Sequence, residues 1–224
     1  MVQNICKLYP EDEGDVNPVV APNRTPSERS VLDEGEMVLR FKDGSIYRGE
    51  YDKQKLRPHG TGILKKTDGS THDGEWVDGL PHGYGTAVYP NGDSYKGYFN
   101  KGKRDGPNGV YICKKYTYEG DWKDGAMEGK GEMKWNDGRH YSGEFKYNKF
   151  TGWGTYTYKS GAKFEGHYVD GYRHGRGKVT FPDNSTYQGD WKRDKEIGTA
   201  TYTNPTGNSV IGTWKGDTFQ PKKE

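Results

Sequence analysis

Glycines recur along this chain at a fixed interval of 23 residues, and that spacing restricts the fold more than any other feature. One series runs Gly49, Gly74, Gly97, Gly120, Gly143, Gly166, Gly189 and Gly212, with 25 residues in the first step and 23 in every later one. A second, Gly60, Gly83, Gly106, Gly129, Gly152, Gly175 and Gly198, keeps 23 throughout. A third phase holds Gly69, Gly92, Gly138, Gly161 and Gly207, with Lys115 and Asn184 as exceptions. Periodicity of this length is the signature of a repeat architecture, in which each unit buries its apolar face against its neighbours.

Rings accompany the glycines. The first series reads Tyr-x-Gly-x-aromatic, as in Tyr95-Gly97-Phe99, Tyr118-Gly120-Trp122 and Tyr187-Gly189-Trp191. His72-Gly74-Trp76 and Phe164-Gly166-Tyr168 vary it, and Val210-Gly212-Trp214 is a weakened last copy. The second reads Gly-x-Gly-x-apolar-x-aromatic, as in Gly129-Gly131-Met133-Trp135. Marked positions lie two apart, so an extended strand points them all to one face, and the alternate face is polar. A helix would instead carry several glycines at about 1 kcal/mol each relative to alanine. Tyr89-Pro90-Asn91-Gly92 and Phe181-Pro182-Asp183-Asn184 have the chemistry of tight turns. The expected fold is all-β: an elongated single-layer antiparallel sheet of successive hairpins. Glycine weakens a strand, but its missing side chain leaves room for a neighbouring ring to lie flat across the sheet.

Composition agrees. Leu, Ile, Val and Phe make up only 31 of 224 residues, while 18 Tyr and 6 Trp supply apolar area instead. Three domains are expected: a flexible, acidic, proline-containing arm over 1–34, the repeat array over 35–214, and a tail over 215–224. Residues 1–36 hold three basic and eight acidic residues, and the remainder holds 31 against 24, an excess of seven positive charges. Cys6 and Cys113 form neither a disulfide framework nor a metal pair. With no signal peptide or membrane-length apolar run at hand, a cytoplasmic or cytoskeletal setting is expected.

Catalytic, metal and cofactor readings each fail on spacing. His59, His82 and His174 share one repeat phase, but strand spacing sets equivalent positions near 10 Å apart, whereas zinc needs each nitrogen at about 2 Å. They read as turn residues. Asp73 with Glu75, and Glu11-Asp12-Glu13, follow the polar phase or the arm and read as solvated. The Gly-x-Gly elements precede no helix whose N-terminus could hold phosphate. No catalytic residue, metal or cofactor is expected, and no nucleic acid. What remains is the ring-paved face. A lone sheet layer is not expected to bury one side against itself, and large exposed apolar patches mark interaction surfaces. The residues expected to form it are Tyr47, Tyr51, Trp76, Tyr95, Phe99, Tyr118, Trp122, Trp135, Tyr141, Phe145, Tyr156, Phe164, Tyr168, Tyr187 and Trp191. A peptide or helix of a partner protein would lie along it, and serine at Tyr118, Trp122, Tyr141 and Phe145 would remove the partner without unfolding the sheet. Homodimerisation and contact with anionic lipid stay open as alternatives.

These residues carry a resemblance. Tyr141-Ser142-Gly143-Glu144-Phe145 followed by Gly152-Trp153-Gly154-Thr155-Tyr156, and Phe164-Glu165-Gly166-His167-Tyr168 through His174-Gly175-Arg176-Gly177, resemble the MORN repeat, the membrane occupation and recognition nexus. Departures fall at Asn108 and Ala200, where the second glycine is missing, and at an insertion within Lys53–Pro58. These should loosen or bulge the sheet. The resemblance implies a non-enzymatic docking platform. As a stand-alone array with short tails, the chain is most similar to axonemal, radial-spoke-head and cytoskeletal members. The resemblance also implies, as the alternative, a phospholipid-binding module.

Overall fold

Two kinds of turn, alternating along the chain, dictate how its strands pair. In the first, both central residues sit at positive φ, as type I′ turns require: Asp78-Gly79 (55° and 81°), Lys101-Gly102 (49° and 82°), Asp170-Gly171 (52° and 84°) and Arg193-Asp194 (49° and 65°). The second is a three-residue loop closed by a left-handed residue. At Tyr89, for example, the N–H donates to the Asp93 carbonyl at 2.8 Å, and Gly92, at φ 87°, donates back to the Tyr89 carbonyl. An Asx turn stiffens several of these loops: Asp68 Oδ1 accepts from the Ser70 N–H at 2.9 Å, and Asp183 Oδ1 from Ser185 at 2.9 Å. The Ser185 hydroxyl bond, before all else, holds the Asp183 carboxyl below its usual pKa.

The computed structural model describes residues 26–31, 37–216 and 218–222. They contain strands and turns and no helix, and fall into two units divided after Met127. The first holds β1 (Pro26–Val31), β2 (Met37–Phe41), β3 (Ile46–Asp52), β4 (Arg57–Lys65), β5 (Thr71–Val77), β6 (Leu80–Val88), β7 (Ser94–Asn100), β8 (Lys103–Arg104), β9 (Gly106–Ile112) and β10 (Tyr116–Lys123). β11 (Ala126–Trp135) follows; its residues from Glu128 onward belong to the second unit, with β12 (His140–Lys146), β13 (Lys149–Thr157), β14 (Lys163–Val169), β15 (Tyr172–Thr180), β16 (Thr186–Lys192), β17 (Lys195–Thr203), β18 (Ser209–Lys215) and β19 (Thr218–Pro221). Within each unit successive strands pair antiparallel, giving an open meander of hairpins, as expected. The sheet runs past both limits of the expected array: Pro26–Val31 pairs with β2, and Thr218–Pro221 pairs with β18. Both additions cover backbone that an edge strand would leave unpaired. The rest of the expected arm lies outside the described residues.

Glycines meet glycines across the ladder. In the first unit Gly49 faces Gly62, Gly62 faces Gly74, Gly74 faces Gly85 and Gly85 faces Gly97. In the second the row runs Gly131, Gly143, Gly154, Gly166, Gly177, Gly189. Over this row lie the rings of the Tyr-x-Gly series. A Cβ on Gly154 would stand 2.6 Å from Cε2 of Tyr141, and one on Gly177 would stand 2.6 Å from Cε2 of Phe164. Alanine at Gly154 should therefore cost about 2–3 kcal/mol by overpacking, read as a lower denaturation midpoint; an unchanged midpoint would mean that the ring does not rest on the glycine.

The departures from the repeat have specific solutions. In the third copy the glycine is displaced, not lost. Asn108 takes φ 54°, Gly109 faces Gly120, and the extra residue is recovered by a shorter turn in which the Cys113 N–H donates to the Tyr116 carbonyl at 3.0 Å. In the seventh copy Ala200 faces Gly212 and is buried, and Tyr187 rises to 8% exposed against 0% for Tyr118 and Tyr141. In the first, the insertion enlarges the turn between β3 and β4, where Asp52 Oδ1 accepts from the Gln54 and Lys55 N–H groups.

Candidate protein-docking surface

The pairings β5–β6, β12–β13, β14–β15 and β16–β17, each across a type I′ turn, carry a bulge, and the bulge shapes both faces. In β5–β6, Gly74 faces Gly85 but Trp76 faces Pro81, so β6 holds the surplus residues. Gly83 takes φ 63°, and Glu75 Oε1 accepts the Tyr84 N–H at 2.8 Å. Glu50 does the same for Thr61 at 2.7 Å, and Glu144 for Trp153 at 3.3 Å. Glu75, expected to be merely solvated, thus caps the bulge. Opposite the carboxylate, the Tyr-x-Gly hydroxyl donates to a carbonyl in the same bulge: Tyr47 to Glu50 at 2.6 Å, Tyr95 to Tyr98 at 3.0 Å, Tyr118 to Asp121 at 2.9 Å and Tyr141 to Glu144 at 3.0 Å. This bond selects tyrosine at that position. Bulges bend and twist a strand, and here they recur in one sense along each unit.

Burial decides the fate of the expected docking residues. They do share one side of the sheet, but that side closes over them. Tyr47, Tyr118, Tyr141, Tyr156 and Phe164 are 0% exposed, Trp76, Tyr95, Tyr168 and Trp191 1%, and Phe99, Trp122, Trp135, Phe145 and Tyr187 between 2 and 8%. Tyr51 alone among them is partly exposed. Within each unit, first rings meet the second ring of their own repeat edge-on and the second ring of the next: Tyr95 with Phe99 at 5.1 Å and Trp122 at 5.3 Å, Phe164 with Tyr168 at 5.5 Å and Trp191 at 5.1 Å. Edge-to-face pairs add about 0.5–1.5 kcal/mol each beyond their area. The rings are the core, so serine at Tyr118, Trp122, Tyr141 and Phe145 would not leave the sheet folded, contrary to expectation.

Two buried cations in this core went unread in the sequence. Arg104 and Arg173 are 5% and 1% exposed. The Arg104 guanidinium lies 4.0 Å from the centroid of Trp122 and donates to the Gly125 carbonyl at 2.8 Å. Arg173 donates Nε–H to Asp194 Oδ1 at 3.2 Å and Nη2–H to the Asp194 carbonyl at 2.8 Å. The usable signal was phase: Pro58, Pro81, Met127 and Phe150 occupy the same repeat position and are also buried.

His72 stands where most copies have tyrosine. It is 0% exposed, meets Trp76 and Phe99 edge-on at 4.9 and 4.6 Å, and neither ring nitrogen has a hydrogen-bond partner among the described residues. Burial keeps the imidazole neutral and lowers its pKa from 6.5 to about 4. The unfolded chain binds this proton near pH 6.5, so the stability at stake, about 3 kcal/mol, is whole above that pH and is lost as pH falls toward 4. His72→Tyr should remove this acid sensitivity and add a hydroxyl donor to the bulge; urea midpoints at pH 7.5 and 5 that shift equally in both proteins would refute it. The other histidines behave differently: His59 is exposed, while His82 and His174 are half-buried on the outer side. Among the described residues no group of three or more His, Cys, Asp or Glu could hold a metal ion.

Exposed apolar groups lie on the outer face. Tyr84 and Tyr98, 44% and 47% exposed, face each other across β6–β7 with rings 5.2 Å apart. An open groove of about 580 Å³ adjoins Tyr98, lined also by His82, Phe99, Asn100, Asp105 and Pro107. Trp153, 52% exposed, faces His167 across β13–β14 at 5.1 Å. These residues occupy the polar phase, and aromatic rings in that phase were the sequence signal for them.

Several known proteins share these repeats. Alsin of Rattus norvegicus is 38% identical over 78 residues, which are 32% of this chain and 5% of alsin. The ALS2 C-terminal-like protein of Homo sapiens is 30% identical over 105 residues, 45% of this chain and 10% of that protein. The chain therefore spans a small fraction of the length of these curated relatives. Among solved structures, the TCP10 domain of Danio rerio CPAP aligns with 87% of this chain and 92% of its own, at 14% identity and a TM-score of 0.48. The family model described as MORN repeat matches residues 72–94, 95–117, 118–138, 141–163, 164–186 and 187–209. Those copies cover more than half of the sequence, and their glycines and rings are the ones that build the sheet: the chain belongs to the MORN repeat family.

Proposed function

We propose that this protein is a non-catalytic scaffold that docks partner proteins, working within a cytoskeletal assembly such as a ciliary or flagellar axoneme of the radial-spoke type. The observation that carries this reading is the division of labour between the faces. One side spends its rings on cohesion between repeats, while the other presents Tyr84, Tyr98, Trp153, Ile112 and Ile211 at 44–52% exposure on a regular lattice of strands. Solvent-facing aromatics set on a rigid sheet are the anchors that protein interfaces use. The expected contact along the inner rings is retained only at their rim, where Tyr51 reaches solvent.

The test is isolation of the tagged full chain from ciliated cells, with identification of co-purifying proteins and imaging of the tag. Axonemal or other cytoskeletal components that disappear with Tyr84→Ser, Tyr98→Ser or Trp153→Ser support the reading; retention of every partner by all three variants would overturn it. A second reading, attachment to anionic phospholipid, rests on the excess of seven positive charges over residues 37–224. Flotation with vesicles that requires phosphatidylserine would favour it.

A further inference from the structure

The outer face of β13–β16 differs in charge from its counterpart in the first unit, although the two share an aromatic pair. Trp153 and His167 hold the same repeat positions as Tyr84 and Tyr98, 69 residues earlier. Around Trp153 the outward, exposed strand residues include Lys149, Lys163, Arg176, Lys178 and Lys192. The positions equivalent to Lys149, Lys163 and Arg176 in the first unit are Leu80, Ser94 and Pro107. Against these five cations the same four strands face only Glu165 and Asp190 outward. Asp190 meets Arg176 at 4.0 Å, with that arginine side chain still 59% exposed. Lys149, Lys163, Lys178 and Lys192 have no ion-pair partner among the described residues. Trp153 is 52% exposed, its backbone N–H donates to Glu144 Oε1 at 3.3 Å and its ring is edge-on to His167.

We propose that this face, centred on Trp153 and flanked by Arg176 and Lys178, is the docking site for an extended acidic segment of a partner protein. The inference rests on the scaffold reading and names the partner chemistry of one surface. Charge complementarity selects the occupant. Five cations against two carboxylates on the same four strands leave a net positive face beside an exposed aromatic ring, which matches a chain that carries carboxylates together with apolar side chains. Glu165 and Asp190, standing inside the patch, favour a peptide, whose carboxylates can be spaced by apolar residues, over a polyphosphate backbone that carries a charge at every unit.

The probe is a fluorescein-labelled synthetic peptide of alternating glutamate and proline, the prolines keeping it extended and apolar enough to lie on the indole. Binding to the full chain is read by anisotropy at low and at high salt. The peptide should bind, with affinity falling as salt rises. Trp153→Ser, and separately Arg176→Glu with Lys178→Glu, should each weaken it about tenfold, while Tyr84→Ser leaves it unchanged. Thermal unfolding of all three variants should match the parent, since the replaced side chains are exposed. Affinity that neither variant moves, or no binding at all, overturns the site without touching the scaffold reading, which the cell isolation judges separately. Phosphatidylserine vesicles and an oligothymidine serve as competing arms; tighter, Trp153-dependent binding of either would overturn the acidic-peptide assignment.

Discussion

Serine at Tyr141 should destabilise the second unit by about 3–5 kcal/mol, the range for truncating a large buried ring. Tyr141 is 0% exposed, covers Gly143 and Gly154, stacks on Phe150 at 3.7 Å and meets Phe145 and Tyr168 edge-on at 5.2 and 5.4 Å. Tyr141→Phe keeps all of these contacts and loses only the hydroxyl bond to the Glu144 carbonyl, so its cost should be about 1 kcal/mol. Trp153→Ser, on the outer face, should stay within about 0.5 kcal/mol of the parent. Equilibrium denaturation of the three variants decides the matter: similar small effects at Tyr141 and Trp153 would mean that the inner rings are open to solvent and available for docking after all. The comparison also governs how binding experiments are read. Loss of a partner in a Tyr141→Ser protein reports an unfolded repeat, whereas loss in a Trp153→Ser protein reports a missing contact.

Asp194→Ala should be nearly as damaging, at about 3–5 kcal/mol, because it strands the guanidinium of Arg173 in the core without its carboxylate. That side chain is 1% exposed, and the Asp194 carboxylate also accepts the Arg173 backbone N–H at 2.8 Å. Removing the charge altogether should be far milder. Arg173→Met places in this position the residue found two repeats earlier at Met127, and replacing a buried ion pair by apolar groups of similar volume is often neutral. Asparagine at Asp194 in the same protein tolerates the positive φ of 65° that this turn residue adopts. The double variant Arg173→Met with Asp194→Asn should therefore recover most of what Asp194→Ala loses. A double variant as unstable as Asp194→Ala would show that the turn geometry, and not the stranded charge, dominates.

Residue by residue, legibility followed locality. The Tyr-x-Gly alternation announced strands, and Pro90-Asn91-Gly92 announced their turns, because both signals act within a few residues. The third copy shows the limit. Phase alone placed the missing glycine at Asn108, but the chain moved it to Gly109 and shortened the next turn, a compensation visible only once both strands are paired. Arg104 and Arg173 were unreadable as core because charge usually marks a surface; the carbonyls and the carboxylate that hold them come from 21 residues away, across the sheet. The same holds for Glu50, Glu75 and Glu144, whose acceptors' role depends on a bulge that no single residue specifies.

By itself the sequence determined the repeat, the strand character of each segment, the pairing of hairpins and the gathering of glycines and rings on one side, since these follow from side-chain alternation and turn stereochemistry. Only the tertiary structure decided that this side is shut and the other open. Burial of the rings depends on each resting on glycines and rings of neighbouring strands, and contacts between strands are not written at any one position.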